Sequence, residues 1–445
     1  MSELMAARAQ MGSSLAFHII FSVLGIGMPL VLLIAEGLWL RTGKDVYRQL
    51  ARTWSKAFAV TFGIGAVSGT MLSFELGLLW PRFMQFAGGI IGMPFSLEGF
   101  AFFIEAIFLA LYLYGWNRLS RRAHFICGIP LVLSGFASTF FIVSANSWMN
   151  TPTGFTLDKD GRITDIDPIA AMFNPAFFTE YFHMLFAALV CTGFAVAAVY
   201  AAGMLKGRRD EYHRKGLAIG LAVAAIILPI QLVTGDLIAV QVTRNQPLKL
   251  ATMEGLFHTT KSAPLTVFGI PNEETQTVDG GIEIPYLLSI LAYNSPSATV
   301  QGMDAFPKEN WPNPVMVHFA YDVMITVGSG LMLPGLIALF AWRRRPKWLE
   351  NRLFLLMLLL SGPAAFVCLE AGWVTTESGR QPWAIYNILR VEDSVTTATG
   401  ILPWFGVFSV VYVFLMVFGA TILLRMASRR RARLADGETE VVTGG

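Results

Sequence analysis

The sequence predicts an all-α polytopic membrane protein with nine transmembrane helices, its N-terminus outside and its C-terminus cytoplasmic. Three observations carry this: the composition, a series of long apolar runs, and the placement of the basic residues. Of 445 residues, 54% are hydrophobic and only 14% are charged. Soluble domains carry about a quarter charged residues, so much of this surface faces something other than water. That excludes a soluble globular domain, a disordered chain and a nucleic-acid binder.

Nine apolar runs of roughly 20 residues or more, enough to cross a hydrocarbon core, lie at 15–40, 57–80, 95–116, 125–146, 176–204, 216–240, 314–342, 353–373 and 399–424. The first is too long for a signal-peptide core and lacks a small-residue cleavage pattern, so it reads as an uncleaved span. Connections after the odd-numbered spans hold 23 of the 33 Lys and Arg residues, beginning with Arg41, Lys44, Arg48, Arg52 and Lys56. Basic residues concentrate on the cytoplasmic side, which sets the orientation. The basic tail 425–445 then answers to anionic lipid. The whole chain, 1–445, reads as a single membrane domain, and the three cysteines, Cys127, Cys191 and Cys368, lie in apolar runs that suggest neither a disulfide framework nor a metal site.

Taken in order, the spans differ in what they carry. Span 1 holds His18 and Glu36, span 2 Glu75, span 3 Glu98 and Glu105, span 5 Glu180 and His183, and span 6 Asp236. A long polar connection, 241–312, follows on the outer side, with turn signals at Gly269-Ile270-Pro271-Asn272 and Asp279-Gly280-Gly281; long connections in compact proteins are usually functional or disordered. Span 7 holds His318 and Asp322, and span 8 holds Glu370. No Lys or Arg lies in any of these runs. A charge near the bilayer centre costs a few kcal/mol at least, about 2.5–3.5 on insertion scales, so such residues default to a functional reading.

Counting along each run puts Glu98, Glu180, His18, His183, His318, Asp322, Glu75, Asp236 and Glu370 in the outer third, Glu105 near mid-membrane and Glu36 near the inner end. A single membrane histidine is more often bonded to a neighbouring helix than a ligand. Glu36, Glu75 and Glu180 can snorkel or cap near interfaces, and His124 and His213 sit in basic connections and carry no signal. Convergence of acids and imidazoles on one side, without basic partners, suits either protons in transit or a bound cationic centre such as haem iron.

The connection after span 8 reads Glu370-Ala-Gly-Trp373-Val-Thr-Thr-Glu377-Ser-Gly379-Arg380-Gln381-Pro382-Trp383. A helix end carries a carboxylate into a turn flanked by indoles, which favour membrane interfaces. Glu377 and Arg380 are close enough for an ion pair, or for one to bind a metal and the other an anionic group such as a propionate. On physics alone an aromatic-belted turn is as good a reading as a cofactor site.

Gly-Trp-x-x-x-Glu-x-Gly-Arg-Gln-Pro-Trp (372–383) closely resembles the signature of subunit I of the cytochrome bd family of quinol oxidases. The resemblance extends to His18 in Ala-Phe-His, to Leu97-Glu98-Gly99 through Glu105, to Asn146-Ser-Trp148 through Gly154, to Tyr181-Phe-His183, and to Gln246-Pro247-Leu-Lys249 through Glu254. These segments run in the family's order over essentially the whole chain.

The resemblance implies three haems in this subunit, two of b type and one of d type, or a third b haem in place of d. It implies His183 and Met324 as axial ligands of a low-spin b haem, a pair suited to electron transfer. It also implies that His18 and Glu377 serve the two high-spin haems, with Trp373, Arg380 and Glu98 beside the cofactors. Glu98 and Glu105, on one helix face two turns apart, match the family's proton relay. Lys249 and Glu254 match quinol-site residues in an outer loop of the short type; read without the resemblance they are a solvated loop pair. Asp322 departs from the pattern, because many members have Arg two residues before the methionine ligand, and His318 stands as an alternative ligand or partner. The implied partners are quinol, O2, a second membrane subunit and a small single-span subunit, with no nucleic acid, in the bacterial inner membrane. The family activity is oxidation of quinol near the outer face and reduction of O2 to water with cytoplasmic protons, without pumping. The residues alone leave two alternatives: a haem b electron-transfer subunit without O2 chemistry, and a haem-free proton-coupled transporter.

Overall fold

A computed structural model describes residues 2–435, with side chains through Ser428. Among the described residues nine helices are long and apolar enough to cross a membrane. They are α1 (Glu3–Thr42), α2 (Asp45–Leu79), α3 (Pro81–Gly115), α4 (Arg121–Asn150), α5 (Phe177–Leu205), α6 (Glu211–Asn245), α7 (Pro314–Arg344), α8 (Arg352–Ser378) and α9 (Ile401–Ala435). The end of the basic tail, 436–445, lies outside the described residues.

Most of these helices overrun the apolar runs, because polar caps and not hydrophobicity set their ends. The side chains of Ser2, Asp210, Asn313 and Asn351 each accept a backbone N–H of the first turn, which satisfies donors that a helix leaves unpaired. The largest difference is at α3, which begins at Pro81, 14 residues before the expected 95. Proline suits the first helical position. Glu98, expected early in its span, is consequently residue 18 of a 35-residue helix.

The chain folds as two compact units. The first comprises residues 1–81, 100–137 and 395–445. Within it α1 packs on α2 and α9, and the helices approach closely at glycines: Gly128 faces the Leu33 side chain and the Tyr112 ring, and Gly419 faces Ile64. The second comprises 82–99 and 138–394. Here α5, α6, α7 and α8 form a ring in which each helix packs on its two neighbours. A Cβ on Gly193 would stand 2.6 Å from the Ala224 nitrogen, so α5 and α6 meet backbone to backbone, the small-residue packing that membrane helices use in place of a hydrophobic driving force.

The connection 241–312 is ordered. Helix α6 continues to Asn245, a buried helix follows at Pro247–Met253, and a second short helix spans Leu287–Tyr293. Strands Leu265–Val267 and Ile282–Ile284 pair antiparallel, as do Ile270–Asn272 and Thr277–Asp279, making one hairpin in two tiers. The two turn signals do not form its tip: Gly269 and Gly280, with φ of 93° and 75°, kink the strands between the tiers. The tip is at 273–276.

Candidate functional site

In the first unit, His18 lies half-buried on α1. Its Nδ1 is 2.9 Å from Ser68 Oγ, and Ser68 itself donates to the Gly65 carbonyl. Ser68 thus anchors the ring at Nδ1. Ser22 Oγ lies 2.8 Å from Nε2 and 3.1 Å from the His18 carbonyl. An imidazole oriented by a hydrogen bond at one nitrogen is the arrangement in which the other nitrogen ligates a metal, and here only the Ser22 hydroxyl stands at Nε2. Gly69 makes the seat, since a Cβ there would stand 2.9 Å from His18 Cε1.

In the second unit, His183 on α5 faces α6. Thr234, which donates to the Gln231 carbonyl, lies 3.3 Å from Nδ1, and the Gln231 amide nitrogen is 3.2 Å from both ring nitrogens. The Gln231 side-chain oxygen Oε1 is buried without a partner. A Cβ on Gly235 would lie 3.4 Å from His183 Cε1. Across the same ring of helices, Met324 Sδ rests 3.0 Å from where a Gly372 Cβ would stand, and Cys368 Sγ donates to the Met324 carbonyl. The glycine of the Gly372-Trp373 motif thus makes room for the thioether.

At the end of α8, Glu377 accepts from Asn146 Nδ2 at 2.7 Å and from Arg380 Nη2 at 2.6 Å. Arg380 is buried, and its Nε and Nη1 have no protein partner. Unpaired buried donors on a guanidinium are costly, which marks a place for an anionic group. Lys249 Nζ donates to Asn150 Oδ1 at 2.8 Å, and its stem lies 2.9 Å from a Cβ built on Gly379. The short helix carrying Lys249 is therefore tied to the 146–150 end of α4 and to the 377–380 turn. Trp373 is half-buried on the same helix end as Glu377. Burial, and next the Arg380 guanidinium, pull the Lys249 ammonium down to about 7, against the pull of Glu180 and Glu377.

Lys249 and Glu254 are both buried, so the reading of a solvated loop pair is overturned. Five residues apart at a helix end, they enter different clusters. Glu254 is hydrogen-bonded to Tyr321, with Asp322 nearby, and burial pushes its carboxyl up to about 8. Asp322 lies 3.3 Å from His318 Nε2. His318 is fully buried, its Nδ1 2.7 Å from the Met253 carbonyl and its Nε2 3.3 Å from the Phe268 carbonyl. With carbonyl oxygens at both nitrogens, His318 holds the loop on α7 and has no lone pair turned outward for iron. Asp322, in place of the family's usual arginine, completes that clasp.

The remaining acids are dispersed. Ser138 donates to Glu98 at 3.0 Å. Glu370 is half-buried, Asp236 is exposed and Glu105 is buried, whereas Glu180, also half-buried, belongs with Lys249, Arg380 and Glu377. Glu75 does not snorkel: it is buried and accepts from Ser14 and Gln10. Glu36 does not snorkel either, and His124 is not a bystander, since the two are buried together at 2.7 Å. The supporting residues that sequence reasoning assigned no role are Ser68, Gln231, Thr234, Asn146, Asn150 and Tyr321. Of these only Asn146 and Asn150 had a signal, their place in a quoted motif.

Residues 6–431 match the family described as cytochrome bd terminal oxidase subunit I. The chain belongs to that family. It is 37% identical over 433 residues, 95% of each chain, to a protein assigned as a cytochrome bd menaquinol oxidase subunit I in Bacillus subtilis (strain 168). It is 32% identical to the cytochrome bd ubiquinol oxidase subunit 1 of the same strain, covering 95% of this chain and 92% of that one. Among solved structures, the bd oxidase from Geobacillus thermodenitrificans superposes with a TM-score of 0.91 at 38% identity, covering 96% of this chain and 98% of that one. Family membership and the nine helices make this a multi-pass membrane protein and set the transporter alternative aside.

The residues present fit the haems that a cytochrome bd subunit I implies. Among the described residues no three His, Cys, Asp or Glu side chains converge on a bare metal site, whereas a haem iron needs only one or two axial protein ligands. His18 and His183 are each held at Nδ1 by a hydroxyl, Met324 has its seat, and Arg380 has unpaired donors for a propionate.

Proposed function

We propose that this protein is the haem-bearing catalytic subunit of a terminal quinol oxidase, taking electrons from quinol and delivering them to O2. The observation that carries the reading is the set of seats: two imidazoles and one thioether, each against a glycine. In this reading His183 and Met324 hold a low-spin b haem, while His18 and Glu377 serve two high-spin haems, b and d or both b. Bound haems supply one-electron transfer and an open iron position for O2.

The chain's own part is to orient and to move protons. Ser68 and Thr234 fix the imidazole orientations, and Arg380 neutralises an anionic cofactor edge. At the outer loop, residues 241–312, Glu254 takes the proton that quinol loses with its electrons. A carboxylate with a pKa near the working pH is the better base for this step. Lys249 stabilises the developing oxyanion. Glu98 and Glu105 carry protons from the cytoplasm toward the oxygen-reducing haem. The partners are a second membrane subunit and a small single-span one, in the bacterial inner membrane, with the N-terminus outside and the C-terminus cytoplasmic. One experiment tests the reading: reduced-minus-oxidised and CO-difference spectra of the purified protein, with quinol-driven O2 uptake. A CO-reactive high-spin signal with O2 uptake is expected. A low-spin b signal alone identifies an electron relay that never meets O2, and overturns the oxidase.

A further inference from the structure

We infer that Glu36, Tyr112 and His124 form a proton-loading site that supplies Glu105 from the basic side of the membrane. The inference rests on the oxidase reading and on that side being the cytoplasm.

The three side chains come from α1, α3 and α4 and are among the most deeply buried in the first unit: Glu36 and Tyr112 are 0% exposed and His124 is 2% exposed. Tyr112 Oη donates to Glu36 Oε2 at 2.6 Å. His124 Nδ1 lies 2.7 Å from Glu36 Oε1, and Nε2 lies 2.9 Å from the Tyr112 carbonyl. A carbonyl only accepts, so Nε2 carries its hydrogen. One proton then remains, shared between Nδ1 and Oε1. With it the pair is neutral, either as imidazolium and carboxylate or as imidazole and carboxylic acid. A second proton within that hydrogen bond would set an O–H against an N–H. The pair therefore stores a single transferable proton.

Position supports this use. Tyr112 lies seven residues after Glu105, as Glu105 lies seven after Glu98, and that spacing keeps residues on one helix face two turns apart, about 10 Å along the axis. On the other side, Trp116 packs on the His124 ring with centroids 4.1 Å apart. Arg52 lies over Trp116, and Arg48 and Arg121 lie over Trp39. These arginines belong to the basic connections. A buried charge pair adds little net stability over apolar side chains of the same size, so stability does not account for a carboxylate and an imidazole here. In the step itself, the shared proton leaves the pair, a Glu105 carboxylate becomes protonated, and the pair is left with one negative charge. That charge draws a replacement proton from the basic side. No electron moves.

The test uses the assembled oxidase with its haems. Glu36→Gln keeps the hydrogen-bonding shape and removes the transferable proton. We expect kcat for O2 uptake to fall by at least about tenfold, with unchanged KM for quinol and unchanged haem spectra. The solvent deuterium isotope effect should rise, and a protonatable carboxyl band should disappear from the infrared difference spectrum. Activity within twofold of wild type, with an unaltered isotope effect, overturns the inference. If Glu36→Gln fails to assemble, Tyr112→Phe and His124→Gln are read by the same measures. Absence of O2 uptake in the wild-type complex instead overturns the oxidase reading on which this rests.

Discussion

A methyl group on Gly372 would stand 3.0 Å from the Met324 sulphur, and one on Gly69 2.9 Å from His18 Cε1. Glycine within a helix costs about 1 kcal/mol relative to alanine, so these positions sacrifice helix stability for room beside the Met324 and His18 side chains. The two seats should respond differently to Ala. A thioether on a flexible side chain can yield, so Gly372→Ala should retain the low-spin haem with a shifted spectrum. The imidazole of His18 is fixed between Ser68 and Ser22 and cannot move aside. Gly69→Ala should therefore diminish the signal of the high-spin haem that His18 serves. Met324→Leu should remove the low-spin b signal altogether, because thioether coordination is lost. His318→Ala should keep that signal and raise the KM for quinol, because His318 secures the Met253 and Phe268 carbonyls of the loop. Loss of the low-spin haem in His318→Ala but not in Met324→Leu would reverse the ligand assignment. Optical difference spectra of the four variants read the haem signals, and quinol kinetics of His318→Ala read the KM.

The short helix Pro247–Met253 shows how an element divides two functions. Lys249 on it reaches the 377–380 turn, and Glu254 at its end reaches α7. The proposed chemistry needs the ammonium of one and the carboxylate of the other. The carboxylate fraction of Glu254 rises with pH through about 8, and the ammonium fraction of Lys249 falls through about 7. Their product peaks between these values, so kcat/KM for quinol should trace a bell with its maximum about pH 7.5. Lys249→Arg, which stays charged, should abolish the fall at high pH, and Glu254→Gln should abolish the rise. An unchanged profile in both variants would remove the pair from the quinol site. The elements themselves were legible because bilayer thickness imposes a length and an apolar composition that show directly in the chain. Helix ends were less so, as at α3, because caps and a proline set them. The proposed ligands stood in motifs whose spacing was readable in the chain. The clusters were not: Glu254 meets Tyr321, and Glu36 meets Tyr112 and His124, across distances in sequence that no local pattern spans. His124 looked like a connection residue because α4 begins at Arg121, inside the basic connection.

Across the whole molecule the 33 basic and 30 acidic residues nearly cancel, yet the two kinds are placed apart. Basic residues gather in the connections after odd-numbered helices, and buried acids lie within the spans. Faces of α3 and α9 that carry Phe100, Tyr114, Val410 and Leu424 are exposed and apolar, as surfaces meeting lipid or another membrane subunit must be. In the proposed function such a body separates charge by where protons are taken up and released. Quinol gives up one proton with each electron, and in the proposed orientation Glu254 passes it to the outer side. Each electron reaching O2 consumes one proton, which Glu36, Glu105 and Glu98 draw from the inner side. No residue is then required to lift a further proton across the membrane. In sealed proteoliposomes carrying the oxidase and its partner subunit, quinol-driven respiration should release about one proton outside per electron, and Glu36→Gln should lower the rate without changing that ratio. A ratio near two would require a pump. A ratio near zero with full O2 uptake would place quinol oxidation and proton uptake on the same side, and would reverse the assignment of the outer loop.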